Sequence, residues 1–359
     1  MKKSLALILT VFLTLSLLTG CVGTTVVIGN CDCSCQDQVQ TKPSENVKPV
    51  EGAVKTGLSV AVTLSESTSA TAEAEGAAKY DVTIAAVLVD DQGVIVSCVI
   101  DSIPATVKFD ASGKITSDVT MAVPTKTEMG EAYGMVAWGG AIAEWDAQVA
   151  AFAKYAEGKT LDQLKNGDID MTTGKAKDGT DLVSSATIRL DGYVYAVEAA
   201  VNNARHLGAQ GGDRLVLTTL NSVGSCVDAT AEKAGTVQLD SDIVALTVKG
   251  DTITSCYIDS LQAKIAVDAS GKITTDLSAP VKTKNELGEA YGMVAWGGAS
   301  AEWNVQAAAF AAYVTGKTAA EVAGIAVNES TKPADGTDLS ASVTIAIGGF
   351  QDLIAKAMK

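Results

Sequence analysis

The stretch Met129–Trp145, MGEAYGMVAWGGAIAEW, returns at Leu287–Trp303 as LGEAYGMVAWGGASAEW, changed only at its first residue and at Ile142/Ser300. The offset of 158 (287 − 129) also relates Cys98 to Cys256, Asp101 to Asp259, and Gly158 to Gly316. It relates the DASGKIT strings at Asp110 and Asp268 as well, and slips to 157 where Asp181 corresponds to Asp338. A period this long exceeds that of solenoid repeats and is about the size of one domain. The chain therefore reads as two tandem homologous domains, 57–205 and 213–359, joined by a Gly-rich linker at 206–212.

Each unit has one layout. β-branched runs open it: YDVTIAAVLVDD and GVIVSCVIDS in the first copy, DIVALTVKGD and TITSCYIDS in the second. Asp-Gln-Gly and Gly-Asp between them suit hairpin turns. A further strand is expected in ATVKFDASGKIT and AKIAVDASGKIT, where Asp-Ala-Ser-Gly reads as a tight turn and lacks the later carboxylates of a calcium loop. Trp145, Val149, Phe152 and Ala156 form a helical apolar stripe, repeated by Trp303, Ala307, Phe310 and Val314, and Gly158 and Gly316 end these helices. DLVSSATIRL and DLSASVTIAI read as late strands. A last helix carries Tyr193, Val197, Ala200 and Ala204, or Phe350, Leu353, Ile354 and Ala357. The fold class expected is α+β, each domain a small antiparallel sheet packed with helices.

The N-terminus reads as an export signal over residues 1–20. Lys2 and Lys3 precede an apolar run from Leu5 to Leu18 that is short for a membrane span. Leu18-Thr19-Gly20-Cys21 then reads as a lipobox, with Cys21 the lipidated residue and 21–56 a polar, flexible tether. An ordinary signal peptide or a short transmembrane anchor is the competing reading. The expected location is the extracytoplasmic face of the cell membrane, with the membrane a partner through the lipid. The formal charge is −15, and −17 once Lys2 and Lys3 are removed (−15 − 2), with no basic stripe, which argues against nucleic acid as a partner. The single histidine, His206, reads as a solvated linker residue, and one imidazole cannot supply multi-His metal sites or repeated Ser-His-Asp triads. Cys31, Cys33 and Cys35 lie in the tether, where a spacing of two suits a closed zinc site poorly.

The run Asp181-Leu182-Val183-Ser184-Ser185-Ala186-Thr187, followed by Val194, Val197 and Val201, resembles the C-terminal signature of the FMN-binding domain family. That family includes flavin-carrying subunits of membrane redox pumps and flavinylated surface lipoproteins. Its motif is roughly Asp-x-x-Ser/Thr-Gly-Ala-Thr. The resemblance implies FMN joined through its phosphate to Thr187, with Asp181, Ser184 and Ser185 in the binding segment. A flavin transferase and a membrane electron donor are the implied partners. Ser185 stands where the family has glycine. The second copy, Asp338-Leu339-Ser340-Ala341-Ser342-Val343-Thr344, keeps only Asp338 and Thr344 of the fixed positions. Judged by the residues alone, Thr187 and Thr344 are equally consistent with solvent-facing strand positions.

Scarce aromatics concentrate in the repeated Gly-rich segment. Trp138 and Trp296 are candidates for a stacking wall against a planar ligand, while Trp145 and Trp303 read as core residues that begin the helical stripes. Glu131, Glu144, Glu289 and Glu302 read as solvated acids. No nucleophile elbow, HExxH or paired-acid motif occurs, so an electron carrier or binding protein is expected rather than an enzyme. The alternatives are a lipid-anchored module for another planar ligand and a structural surface protein without cofactor.

Overall fold

The computed structural model describes residues 52–359. The signal segment, Cys21 and the Cys31/Cys33/Cys35 cluster lie outside the described residues. Within them the chain is mixed α and β, with three antiparallel sheets. Strands β1 (Lys55–Thr63), β2 (Gly76–Val89) and β3 (Ile95–Phe109) form the first sheet in that order. Short helices α1 (Lys126–Met129) and α2 (Met135–Gly139), then α3 (Trp145–Ala156) and α4 (Leu161–Asn166), lead to a small hairpin, β4 (Ile169–Asp170) and β5 (Lys175–Ala176), and to α5 (Asp191–Asn202). The second half repeats the order with β6 (Arg214–Ser222), β7 (Gly235–Lys249), β8 (Thr252–Val267), α6 (Lys284–Leu287), α7 (Met293–Gly297), α8 (Trp303–Val314), α9 (Ala319–Ala323) and α10 (Gly348–Ala357). No helix among the described residues is long and apolar enough to cross a membrane.

Three details depart from the sequence expectation. The run at Ile95–Ser102 and the run after Pro104 are one continuous strand. Proline is tolerated because β3 is an edge strand that needs no second ladder. Each three-stranded sheet also contains a first strand, β1 or β6, that the sequence pattern does not predict. Finally, the Ser-Ser-Ala-Thr segment is not a strand. Asp181–Ser184 is a 3-10 turn in which Ser184 Oγ donates to Asp181 O at 2.7 Å, a local bond that competes with extended backbone.

The two large sheets face one another. Tyr80, Val82, Ile84, Ala86 and Leu88 of β2 meet Val237, Leu239, Ile243 and Ala245 of β7 in one shared core. The alternate residues Ala85, Val87 and Val89 point outward beneath α3 and α5, and Val244 and Leu246 lie beneath α8 and α10. The result is a four-layered body, helix/sheet/sheet/helix, and it explains why β2 and β7 are apolar on both faces. Contacts between the halves are reciprocal. Ala70 N donates to Gly271 O (2.8 Å) and Ala229 N to Gly113 O (3.0 Å). Ile115 N donates to Asp228 Oδ1 (2.8 Å) and Ile273 N to Ser69 Oγ (3.0 Å). Exchanging the halves preserves the pattern, as in a two-fold interface. Gly113, at φ 73°, is needed twice over, because a Cβ there would lie 2.5 Å from Asp268 O of the other half.

The linker is tied down rather than free. Val54 N donates to Ala209 O (3.0 Å) and Gly211 N to Gly52 O (2.7 Å). His206 Nε2 lies 3.1 Å from Asp91 Oδ1, which also pairs with Lys55 Nζ at 2.8 Å.

Among the described residues one non-glycine is left-handed: Thr331, φ 56°, at the position of Gly174, φ 74°, in the first half. Thr331→Gly removes a strained β-branched residue and is expected to raise stability by about 1 kcal/mol, read as a higher midpoint in urea. The reverse change, Gly174→Thr, sets a Cβ 2.2 Å from Asp191 Oδ1 and destabilises.

Candidate functional site

The repeated Gly-rich segment is built around two carboxylates. Glu144 precedes α3 and its side chain turns back to accept from Met135 N (2.8 Å) and Val136 N (3.0 Å), closing the first turn of α2. Glu302 does the same for Met293 N (2.8 Å) and Val294 N (3.0 Å). These two acids are therefore caps and not solvated charges; Glu131 and Glu289 are exposed. A carboxylate at these unpaired amides also suits the positive end of the turn.

Trp138 is 89 % exposed and Trp296 90 %. Neither is loose: a Cβ on Gly134 would lie 2.2 Å from Trp138 Cδ1, so the indole lies against the glycine backbone, and Gly292 serves Trp296 in the same way. Trp145 and Trp303 are core residues, as their spacing predicts. Trp145 Nε1 donates to Tyr193 OH at 2.9 Å, and the two rings meet edge to face. Burial pushes the Tyr193 phenol up to about 12. Lys126 Nζ sits 5.3 Å from the ring centres of both Tyr133 and Trp145 and 3.5 Å from Asp81 Oδ1. Lys284 repeats the arrangement against Tyr291 (5.3 Å) and Trp303 (5.0 Å). These cations staple the start of each segment onto the helical layer.

In the second half the segment is also tethered by Asp259, whose Oδ1 accepts from Ser260 N (2.7 Å) and Asn285 N (3.1 Å). Burial pushes this carboxyl up to about 6, with Glu286 adding to the rise and the hydrogen bonds opposing it. The folded state therefore holds a proton that the unfolded chain has already released. Stability from this group is full at low pH and falls as pH rises from about 4 to 7, by about 3 kcal/mol. Asp259→Asn keeps the accepting oxygen and is expected to flatten that fall in urea titrations across the window.

Thr187 and Thr344 are exposed, and each is held by a buried glutamine. Gln148 Oε1 accepts from Thr187 N (2.8 Å), Thr187 Oγ1 (3.1 Å) and Ile188 N (3.3 Å). Its Nε2 donates to Ala143 O at 2.7 Å, so the two ends of the amide are distinguished by their partners. Gln306 repeats every bond, to Thr344 N (2.7 Å), Thr344 Oγ1 (3.1 Å), Ile345 N (3.2 Å) and Ala301 O (2.8 Å). Through this side chain the threonine loop is joined to the Gly-rich segment. The two motifs singled out in sequence thus meet in both halves. Gln148 itself was not foreseen. Its signal was a polar residue on the apolar face of α3, repeated at the same offset.

Asp181 contributes its backbone oxygen, which accepts from Ser184 Oγ (2.7 Å) and Ser185 Oγ (3.4 Å). Asp338 flanks the equivalent 3-10 turn in the second half. Ser185 has φ −117°, ψ −21° and Ser342 φ −116°, ψ −16°, conformations open to any residue. Serine at these two positions therefore strains nothing. In both halves an exposed hydroxyl thus stands on an unstrained loop beside the Gly-rich aromatic segment.

Two clefts stand out among the described residues, and the second borders the turn that carries Asp338. One of about 200 Å³ is lined by Pro104, Met121, Val123 and Val223. The other, of about 410 Å³, is lined by Tyr313, Lys317 and Leu339. Tyr155, the first-half counterpart of Tyr313, instead accepts from Asp168 N at 2.7 Å through its hydroxyl. Among the described residues no three His, Cys, Asp or Glu side chains gather as a metal site. No family model matches the chain, and comparison with curated proteins and with solved structures gives no match.

Proposed function

We propose that this chain is two tandem copies of one unit, fused face to face, and that it serves as a lipid-anchored flavoprotein relaying electrons outside the membrane. Thr187, and Thr344 in the second copy, are the attachment residues. The observation that carries this reading is the exposed threonine hydroxyl clamped by a buried glutamine, made identically in both halves. The Thr187 hydroxyl donates a hydrogen bond to Gln148 Oε1, which leaves the oxygen's lone pairs directed away from the amide. An alcohol held in this way is positioned but not activated. Attachment therefore requires a transferase with its own base and a flavin dinucleotide as donor. The Oγ–P bond forms as the pyrophosphate bond breaks, the mononucleotide leaves, and the hydroxyl proton passes to the transferase.

Bound flavin would supply reversible two-electron chemistry; this chain supplies position. Gln148 fixes the attachment loop, Glu144 fixes the neighbouring turn, and Trp138 offers an indole face. In this reading the chain turns over no substrate by itself.

Protein exported alongside its transferase is expected to fluoresce as a flavin band in a denaturing gel. Thr187→Val should remove the signal of one half, and the Thr187→Val/Thr344→Val double variant should remove it entirely. A band that survives in the double variant refutes attachment at these residues. The exposure of Trp138 and Trp296 favours a second reading, a non-covalent planar ligand stacked on the indoles. There, Trp138→Ala with Trp296→Ala abolishes binding while the threonine variants retain it.

A further inference from the structure

The layer order fixes how the two threonine sites are related. Thr187 hangs from α3 through Gln148, and α3 and α5 cover the outer face of the first sheet. Thr344 hangs from α8 through Gln306, and α8 and α10 cover the outer face of the second. Between the two helical layers lie both sheets and the shared core. Packed sheets are about 10 Å apart, and each helical layer adds a further ~10 Å, which puts the two hydroxyls about 30 Å apart. The lateral placement separates them further. α3 packs on β3, which borders β6, whereas α8 packs on β8, which borders β1.

We infer that the two sites are opposite-facing ports, each exchanging electrons with a redox partner on its own side and neither exchanging them with the other. The inference rests on the flavin reading of Thr187 and Thr344. Electron tunnelling through protein decays exponentially with distance, and the span from one outer layer to the other crosses the whole body. Flavin held at the Thr187 face would take electrons from a donor protein and pass them to an acceptor on that same face, with its protons taken from and returned to water. Transfer between the two faces then requires a second molecule. The chain therefore links partners on two sides and is not an internal wire. The reciprocal fusion of the halves is what creates this arrangement. Had the units packed through their helical layers, the two threonines would share one cleft.

Two measurements test this. The first needs no flavin. Thr187→Cys and Thr344→Cys are spin-labelled in the full chain with Cys31, Cys33, Cys35 and Cys226 changed to serine. Cys98 and Cys256 stay, since both are buried and burial pushes the Cys98 thiol up to about 12. A dipolar distance near 30 Å is expected, and one under about 20 Å overturns the inference. Should that variant fold poorly, Trp138→Cys with Trp296→Cys gives the same test on the exposed indole positions. The second uses flavin-loaded protein reduced at one half. Equilibration with the other half is expected to speed up in proportion to protein concentration, and a fast phase independent of concentration overturns the inference. Loss of the flavin signal from wild-type protein defeats the parent reading and the ports with it. The spin-label distance is blind to that failure, so the two are told apart.

Discussion

Gln148→Leu is expected to lower the unfolding free energy by about 4 kcal/mol, with Gln306→Leu costing a similar amount in the second half. Leucine is close to glutamine in volume, so little cavity is made and the loss is one of hydrogen bonding. Gln148 is fully buried, and its amide closes four bonds at once. Without it, the N–H groups of Thr187 and Ile188 and the carbonyl of Ala143 lose their partners beside an apolar core. Each such group costs about 1–3 kcal/mol when left unsatisfied. The loop can escape part of this by swinging into water. That same movement unfixes the Thr187 hydroxyl, so attachment of flavin to the first half should fall at least as steeply as stability. Urea unfolding followed by circular dichroism reads the stability. Peptide mapping of Thr187 against Thr344 reads the attachment, with the second half, whose glutamine is unchanged, as internal control. Normal stability in Gln148→Leu would show that the clamp holds nothing.

Gly57→Ala is expected to cost about 3 kcal/mol or more, because it strikes backbone rather than side chain. Gly57 lies in β1 directly under α5. A Cβ there would sit 2.0 Å from Ala200 O, 2.9 Å from Ala200 C and 3.0 Å from Val87 Cγ2. The helix cannot simply rise. It is held down by Ser59 Oγ donating to Ala196 O at 2.7 Å and by Asn203 Nδ2 donating to Leu58 O at 3.3 Å. Moving α5 would also draw on Val194 and Val197, which are fully buried in the same outer core. The second half carries Val216 at this place in its sheet, opposite Leu246, and its covering helix is the shorter α10. Val216→Ala should therefore cost only about 1 kcal/mol, the ordinary price of a half-buried methyl pair. A thermal midpoint for Gly57→Ala equal to that of the unaltered chain would mean that the strand and helix do not approach as described.

Much of the architecture is visible in the sequence because it is written twice. The helical stripe from Trp145 to Ala156 and its copy from Trp303 are buried where their spacing places them. The Asp110 and Asp268 turns close on their own carboxylates, as the Asp-Ala-Ser-Gly string suggests. Other features were hidden for identifiable reasons. Pro104 makes one long strand look like two. Thr187 and Ile188 carry β-branched side chains that suggest extended pairing, yet their amides are taken by a side chain from α3. The packing of sheet on sheet was not legible either. In β2 the residues facing the partner sheet, such as Ile84 and Leu88, are no more apolar than those facing the helices, such as Val87 and Val89. Periodicity cannot distinguish two buried faces. The glutamine clamp is a single polar residue in an apolar stripe, and only its geometry reveals what it holds.

The proposed electron relay depends on the chemical state of the Thr187 oxygen, and intact-mass spectrometry of the natively exported protein reads that state directly. The account predicts a species heavier than the lipidated chain by FMN less one water for each modified half. Fragment spectra should place the increment on Thr187, and on Thr344 where both halves are loaded. A chain that carries its lipid but no flavin increment, in the presence of an active transferase, would contradict it.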